Sequence, residues 1–164
     1  MTGYTRTTAD VDGDFVVLII GTKVHRWRDV RAWLPVFRAM PRMLRELSEQ
    51  PELGLMRAYG GWMFGGPCLV QYWRSYDHLV DYARGAEQEH LPAWREFNRA
   101  TRAHGDAVGI FHETYRVSAG QWETIYGAMP DVGLAGATRS RELRAGSTSK
   151  ERMRAAATDP AGAR

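Results

Sequence analysis

Residues 15 to 24 read FVVLIIGTKV, apolar and β-branched without alternation. That pattern predicts a strand, Phe15 to Val24, buried on both faces. The periodicity then changes. In WRDVRAWLPVFRAMPRMLRELSEQ, residues Trp33, Phe37, Met40, Leu44 and Leu47 recur at steps of four, three, four and three, one stripe of an amphipathic helix. Pro35 suits a first turn, whereas Pro41 lacks the N–H an interior position needs, so a kink or break is expected near Met40. Two further strands follow at about Gly54 to Phe64 and Cys68 to Trp73, and GGP at 65 to 67 makes them a hairpin. Ser75 is the expected N-cap of a second helical region, interrupted at Gly85, restarted at Pro92 and ended at His104-Gly105. GIFHETYRV is the next strand, SAG a turn, and QWETIYG a short last strand in a terminal hairpin arm.

Strand, helix, strand, strand, helix, strand is the βαββαβ order of a ferredoxin-like α+β sandwich, an antiparallel sheet with helices on one face. Because the strands are apolar on both sides, the open sheet face needs a cover. A second copy of the chain packed sheet to sheet, a homodimer, is the expected one. The domain is expected over residues 14–134, with a disordered N-terminal arm at 1–13. From 135 to 164 the chain turns to Ala, Gly, Ser, Thr and Arg. This stretch reads as a basic disordered tail with a short helix near 149 to 157.

Composition narrows the picture. The 164 residues are 44% hydrophobic, with six Trp, seven Tyr and five Phe, enough for one aromatic core. The net charge of +3 belongs to the tail: residues 135–164 sum to +4 and the remainder to −1. No nucleic-acid-binding face on the folded part is supported. No apolar run is long enough to cross a membrane, and the polar start resembles no signal peptide, so a cytoplasmic protein with no membrane partner is expected. A single cysteine, Cys68, allows neither an internal disulfide nor a cysteine zinc cluster. It reads as a core residue, with an iron thiolate as the alternative.

WLPVFRAMPRMLRELSEQPELG, QYWRSYDHLVDYAR, EHLPAWREFN and GIFHETYRVSAGQWETIY together resemble a monooxygenase-like family whose fungal members lie in fumagillin-type biosynthesis. The family belongs to the dimeric α+β barrel superfamily, alongside antibiotic-biosynthesis monooxygenases and haem aldoxime dehydratases. The resemblance spans about residues 14–134. It implies the fold and a ligand pocket and leaves the cofactor open, between none and haem. The matching residues are His90 with Pro92, Ala93 and Trp94, and His112 with Glu113, Thr114 and Tyr115.

His90 sits two residues before Pro92 at a helix junction, where an inward imidazole serves as an iron ligand or a proton acceptor; the plainer reading is a helix cap. His112 lies on a strand, where side chains alternate. Ile110, His112, Thr114 and Arg116 therefore share one face, and Phe111, Glu113, Tyr115 and Val117 the other. If His112 faces the pocket it is the acid/base, or the second choice of haem ligand after His90. If Glu113 does, a buried carboxylate takes the role. Trp33, Phe37, Tyr59, Trp73, Trp94, Phe97 and Tyr115 are the aromatics a cavity would use to stack a flat ligand. Arg57 and Arg74 would pair with a substrate carboxylate or a haem propionate. The reading that follows is a small oxygenase-type enzyme of secondary metabolism acting on an apolar or aromatic substrate, cofactor-free or haem-dependent. The alternative is a non-catalytic dimeric carrier of ligand or haem, or an interaction module.

Overall fold

The computed structural model describes residues 5–85, 95, 98–99, 102–144 and 146–158. Its principal sheet has four antiparallel strands: β2 (Phe15–Val24), β3 (Leu55–Met63), β4 (Gly66–Trp73) and β5 (Val108–Val117), in the order β3-β4-β2-β5. With α1 (Val30–Glu49) between β2 and β3, and α2 (Tyr76–Arg84) after β4, this is the ferredoxin-like α+β arrangement that the periodicity predicts. β2 has the bounds expected of it. The hairpin turn falls on Phe64 and Gly65, both at positive φ (53° and 85°), instead of on GGP at 65–67. A two-residue turn with two left-handed positions matches strand twist, and glycine takes the second without strain.

Register assigns each strand residue to a face. The pairs Val16↔Trp73, Leu18↔Gln71 and Ile20↔Leu69, and on the other edge Leu18↔Thr114, Ile20↔His112 and Thr22↔Ile110, carry the helix-facing side chains. Val17↔Tyr72, Ile19↔Glu113 and Gly21↔Cys68 mark the far face. On the helix side, Val16, Leu18, Leu47, Trp73 and Tyr82 form one core cluster. Trp73 is 1% exposed, and its Nε1 donates to Gln71 Oε1 at 2.9 Å. Deleting such an indole costs about 3–5 kcal/mol.

α1 does not break at Pro41; both Pro35 and Pro41 lie inside one 20-residue helix. Pro41 is on the exposed side, where the carbonyl it leaves unpaired can bond water. α2 starts where expected, with Ser75 Oγ accepting from the His78 N–H at 3.2 Å, and Gly85 ends it. The restart at Pro92 lies outside the described residues.

The described residues of both flanks form regular structure where composition suggests disorder. β1 (Arg6–Asp10) pairs with β6 (Tyr126–Gly127) and β7 (Arg139–Glu142) in a second antiparallel sheet, with α3 (Gly133–Ala137) before β7 and α4 (Ser149–Thr158) after it. QWETIYG therefore contributes only Tyr126–Gly127 as strand, and pairs with β1 rather than with the principal sheet. Arg139 anchors β7 by ion pairs to Asp10 (3.4 Å) and Asp12 (2.7 Å). α4 opens on a capping box: Glu151 Oε2 accepts from the Thr148 N–H (2.7 Å) and hydroxyl (3.0 Å), while Thr148 Oγ1 accepts from the Glu151 N–H (3.3 Å).

This second layer settles part of what covers the far face. Ala9, Val11, Leu134 and Ala135 pack on Phe15, with Val17, Met56, Tyr72, Val117, Trp122 and Tyr126 around them. Part of the face expected to need a partner subunit is thus covered by the chain itself. Gly136 makes the close fit possible, since a Cβ there would overlap Tyr59 Oη and lie 2.6 Å from the Asp131 carbonyl oxygen.

Candidate active site

Between sheet and helices lies a cavity of about 360 Å³. α1 contributes Val36, Ala39, Met40 and Met43, and α2 contributes Tyr76, Leu79, Val80 and Ala83. Each set follows the i, i+3, i+4, i+7 spacing of a single helix face. The floor is Leu18, Ile20 and Thr22 of β2 with Ile110, His112 and Thr114 of β5. The chamber is therefore largely aliphatic, with its polar groups gathered on β2, β5 and the first turn of α2. A volume of this size suits a small organic ligand.

His112 is on the helix-facing side of β5 and enters this wall, while the side chain stays exposed at the sheet edge. Glu113 and Tyr115 point to the far face, where the Tyr115 hydroxyl donates to Glu113 Oε2 at 2.6 Å. That hydrogen bond raises the Tyr115 pKa above its usual value. Glu113 is exposed and outside the cavity, so it does not fit the buried pocket carboxylate envisaged for it. Thr22 is the polar wall residue that residue type alone does not single out. It is 5% exposed, and among the described residues its Oγ1 has no hydrogen-bond partner. Its place opposite Ile110, two pairs along the ladder from His112 and so on the same face, would have pointed to it once the register was known.

The other expected site residues are dispersed. His90, Trp94 and Phe97 lie outside the described residues. Trp33 and Phe37 belong to an aromatic cluster at the start of α1, with ring centroids 5.3 Å apart and Trp27 5.7 Å from Trp33. Trp33 Nε1 donates to the Trp27 carbonyl at 3.0 Å. Trp73 is solid core. Tyr59 meets Tyr72 edge-on at 6.3 Å on the far face, and burial pushes the Tyr72 hydroxyl above its ordinary pKa. Arg57 is exposed, its guanidinium 5.9 Å from the Tyr59 ring centroid, and Arg74 reaches the Pro51 carbonyl at 3.4 Å. Neither approaches the cavity wall. His78 and His104 are each half-buried and partnered, with Ser75 Oγ (2.7 Å) and Asp29 Oδ2 (3.0 Å) respectively.

A haem here would need an imidazole or thiolate ligand and cationic groups for its propionates. Among the described wall residues His112 offers the one imidazole, and no arginine or lysine joins it. Cys68 is buried on the far face, where burial raises its thiol pKa. The described residues thus do not compose a haem site. No group of three His, Cys, Asp or Glu side chains among them is placed to hold a metal ion. A second, polar cavity of about 670 Å³ lies around β7 and α4, where Arg141, Arg144 and Arg152 are matched by Glu123, Glu142 and Glu151. No helix among the described residues is long and apolar enough to cross a membrane.

Fold and cavity together define a ferredoxin-like α+β domain with an apolar, ligand-sized cavity that has one imidazole among its described wall residues. The chain belongs to the monooxygenase af470-like family, whose sequence model matches residues 15–134. Among solved structures it is similar to SnoaB, a cofactor-independent oxygenase from Streptomyces nogalater, at 15% identity and a TM-score of 0.43, covering 62% of this chain and 91% of that one. It is also similar to a dimeric ferredoxin-like protein of unknown function from Jannaschia sp. CCS1, at 17% identity and a TM-score of 0.43, covering 60% and 97%. A dimeric ferredoxin-like protein of unknown function from Bacteroides fragilis matches at 14% identity and a TM-score of 0.40, covering 62% and 96%. No curated protein matches the chain significantly.

Proposed function

We propose that the chain is a small cofactor-free oxygenase of secondary metabolism that binds an apolar aromatic C–H acid in the cavity, with His112 as proton acceptor. The observation that carries this reading is the position of His112, an imidazole in an otherwise largely aliphatic chamber bounded by α1, α2 and the β2–β5 floor. Family membership agrees with oxygenase-type chemistry. For an anthrone-type methylene, the imidazole takes the C–H proton and leaves a delocalised carbanion. That carbanion reduces dioxygen by one electron, and the radical pair closes to a C–O bond as a peroxide anion. The imidazolium returns its proton to give the hydroperoxide. Loss of the second C–H proton with cleavage of the O–O bond yields the ketone and water, so one dioxygen oxidises one methylene. The protein's share is orientation, an apolar medium and the base.

The test is oxygen uptake with anthrone. The expected result is one dioxygen consumed per quinone formed, with kcat falling about 100-fold or more in His112→Ala while anthrone still binds. Wild-type turnover in His112→Ala would overturn the role of His112. Tight binding with no oxygen uptake in the wild type would make the protein a carrier. His90→Ala, measured alongside, assigns or removes the second histidine.

The same reading includes a homodimer. Phe111, Tyr115, Ile19 and Val70 lie on the part of the far face beyond the second sheet, and Tyr115 is 50% exposed. A second copy packed there would bury them.

A further inference from the structure

Thr22 has a property that packing does not account for. It is 95% buried by its 5% exposure, it lines the cavity, and its Oγ1 has no partner among the described residues. Buried hydroxyls are almost always hydrogen-bonded. Thr114, the other threonine of the wall, is exposed and can bond water, so among the described wall residues the unmet buried hydrogen bond belongs to Thr22. Rotation about χ1 carries the hydroxyl through the staggered positions, one of which would turn it toward a ligand in the chamber.

The register places Thr22 relative to His112. Thr22 pairs with Ile110 and Ile20 with His112 across β2 and β5, so Thr22 and His112 are diagonal neighbours on one face, about 7 Å apart. One six-membered ring bearing an oxygen, with a hydrogen bond at one end and a proton-transfer contact at the other, spans a gap of that order. A flat ligand on this floor brings an oxygen substituent to Thr22 and a ring carbon on the opposite side to His112.

We infer that the Thr22 hydroxyl is the oxygen-recognition group of the cavity, and that the ligand class is a keto aromatic whose reactive methylene lies across one ring from that oxygen. This rests on the proposed function and extends it. When the His112 imidazole removes the proton, the C–H electron pair delocalises through the ring to the substituent oxygen, which becomes an enolate. The Thr22 O–H donates to the oxygen on which the charge collects, stabilising the state that forms during the reaction. No bond to Thr22 is made or broken.

The test compares binding of 1-naphthol and naphthalene, which differ by one hydroxyl, by quenching of tryptophan fluorescence. Wild type is expected to favour naphthol about tenfold. Thr22→Val should bind both equally, Thr22→Ser should keep the preference, and His112→Ala should keep it too, because the preference belongs to the oxygen and not to the base. Naphthalene bound as tightly as naphthol by wild type, or an undiminished preference in Thr22→Val, overturns the assignment and leaves the cavity and His112 standing. Failure of wild type to bind either ligand overturns the cavity reading itself and this assignment with it.

Discussion

Thr22→Val should make the unliganded protein more stable, although it removes a polar group from a proposed binding site. A buried hydroxyl without a partner loses its water bonds on folding and gains nothing in return, at a cost of about 1–3 kcal/mol. Thr22 Oγ1 is in that position. Valine keeps the branched shape that a strand favours and places a methyl group beside Ile110, the residue paired with Thr22, and Ile20, the next on the same face. A net gain of about 1 kcal/mol follows, equivalent to a rise of about 2–4 °C in Tm for a chain of this length. Urea unfolding followed by circular dichroism should show a higher midpoint with an unchanged m-value. Thr22→Ser, which keeps the hydroxyl and loses a methyl, should fall about 1 kcal/mol below wild type. Naphthol at 100 times Kd stabilises a binding-competent form by about 2.7 kcal/mol, so the order of wild type and Thr22→Val should narrow or reverse with ligand. A Thr22→Val variant less stable than wild type at constant m would refute the reasoning, because its hydroxyl would then be satisfied in the free protein.

Gly136→Ala should destabilise by about 1–3 kcal/mol, because its Cβ would overlap Tyr59 Oη and press on the Asp131 carbonyl oxygen; thermal denaturation checks this, and an unchanged Tm would mean that α3 does not seat on the sheet. The two hydrogen bonds from Thr148 hold the Glu151 pKa below the ordinary glutamate value. Its cap is therefore fully formed above that ordinary value and is lost as pH falls through the lowered one. The Thr148 amide resonance should shift over that acid window and stay fixed in Glu151→Gln, and a shift near neutrality would contradict the capping box. Phe111→Asp should convert the dimer to monomer by light scattering after gel filtration without altering naphthol binding, since Phe111 is on the far face of β5. A wild-type protein monomeric at all concentrations would remove the dimer.

The elements with strong periodicity were readable from sequence, and the misreadings have physical causes. β2 is apolar on both faces because both faces are buried, by helices on one side and partly by the second sheet on the other. The large-residue stripe of α1 points to Trp33 and Phe37 as cavity aromatics. The cavity instead takes Val36, Ala39 and Met43, with Met40 shared, because the aromatic end of the stripe turns toward Trp27. β1 was illegible for another reason. RTTAD is short and polar, and its partners begin at Tyr126 and Arg139, far along the chain. Nothing local predicts such a strand. Thr8 and Thr124 hold it in place with hydrogen bonds of 2.8 and 3.0 Å, contacts visible only after folding. Alternation along β5 posed the question of His112 against Glu113 correctly, but only the pairing of Ile20 with His112 says which of the two meets the helices.

That alternation also separates two roles on one strand. His112 and Thr114 line the chamber, while Phe111, Glu113 and Tyr115 face away from it. The second sheet and α3 cover the far face beside Phe15, Val17 and Tyr72, and stop short of Phe111 and Tyr115. Along β5, Ile110, His112 and Thr114 therefore serve the ligand, and Phe111 and Tyr115 the outer surface. Substitutions at Phe111 or Tyr115 should change association and leave ligand affinity alone, and those at Ile110, His112 or Thr114 should do the reverse. A β5 edge displaced by one residue would exchange the two sets and abolish both properties together. Continuous pairing from Phe15↔Val117 to Val24↔Val108 resists that slip. The ten-residue β2–β5 ladder is thus the feature that keeps His112 and Thr22 on a common floor.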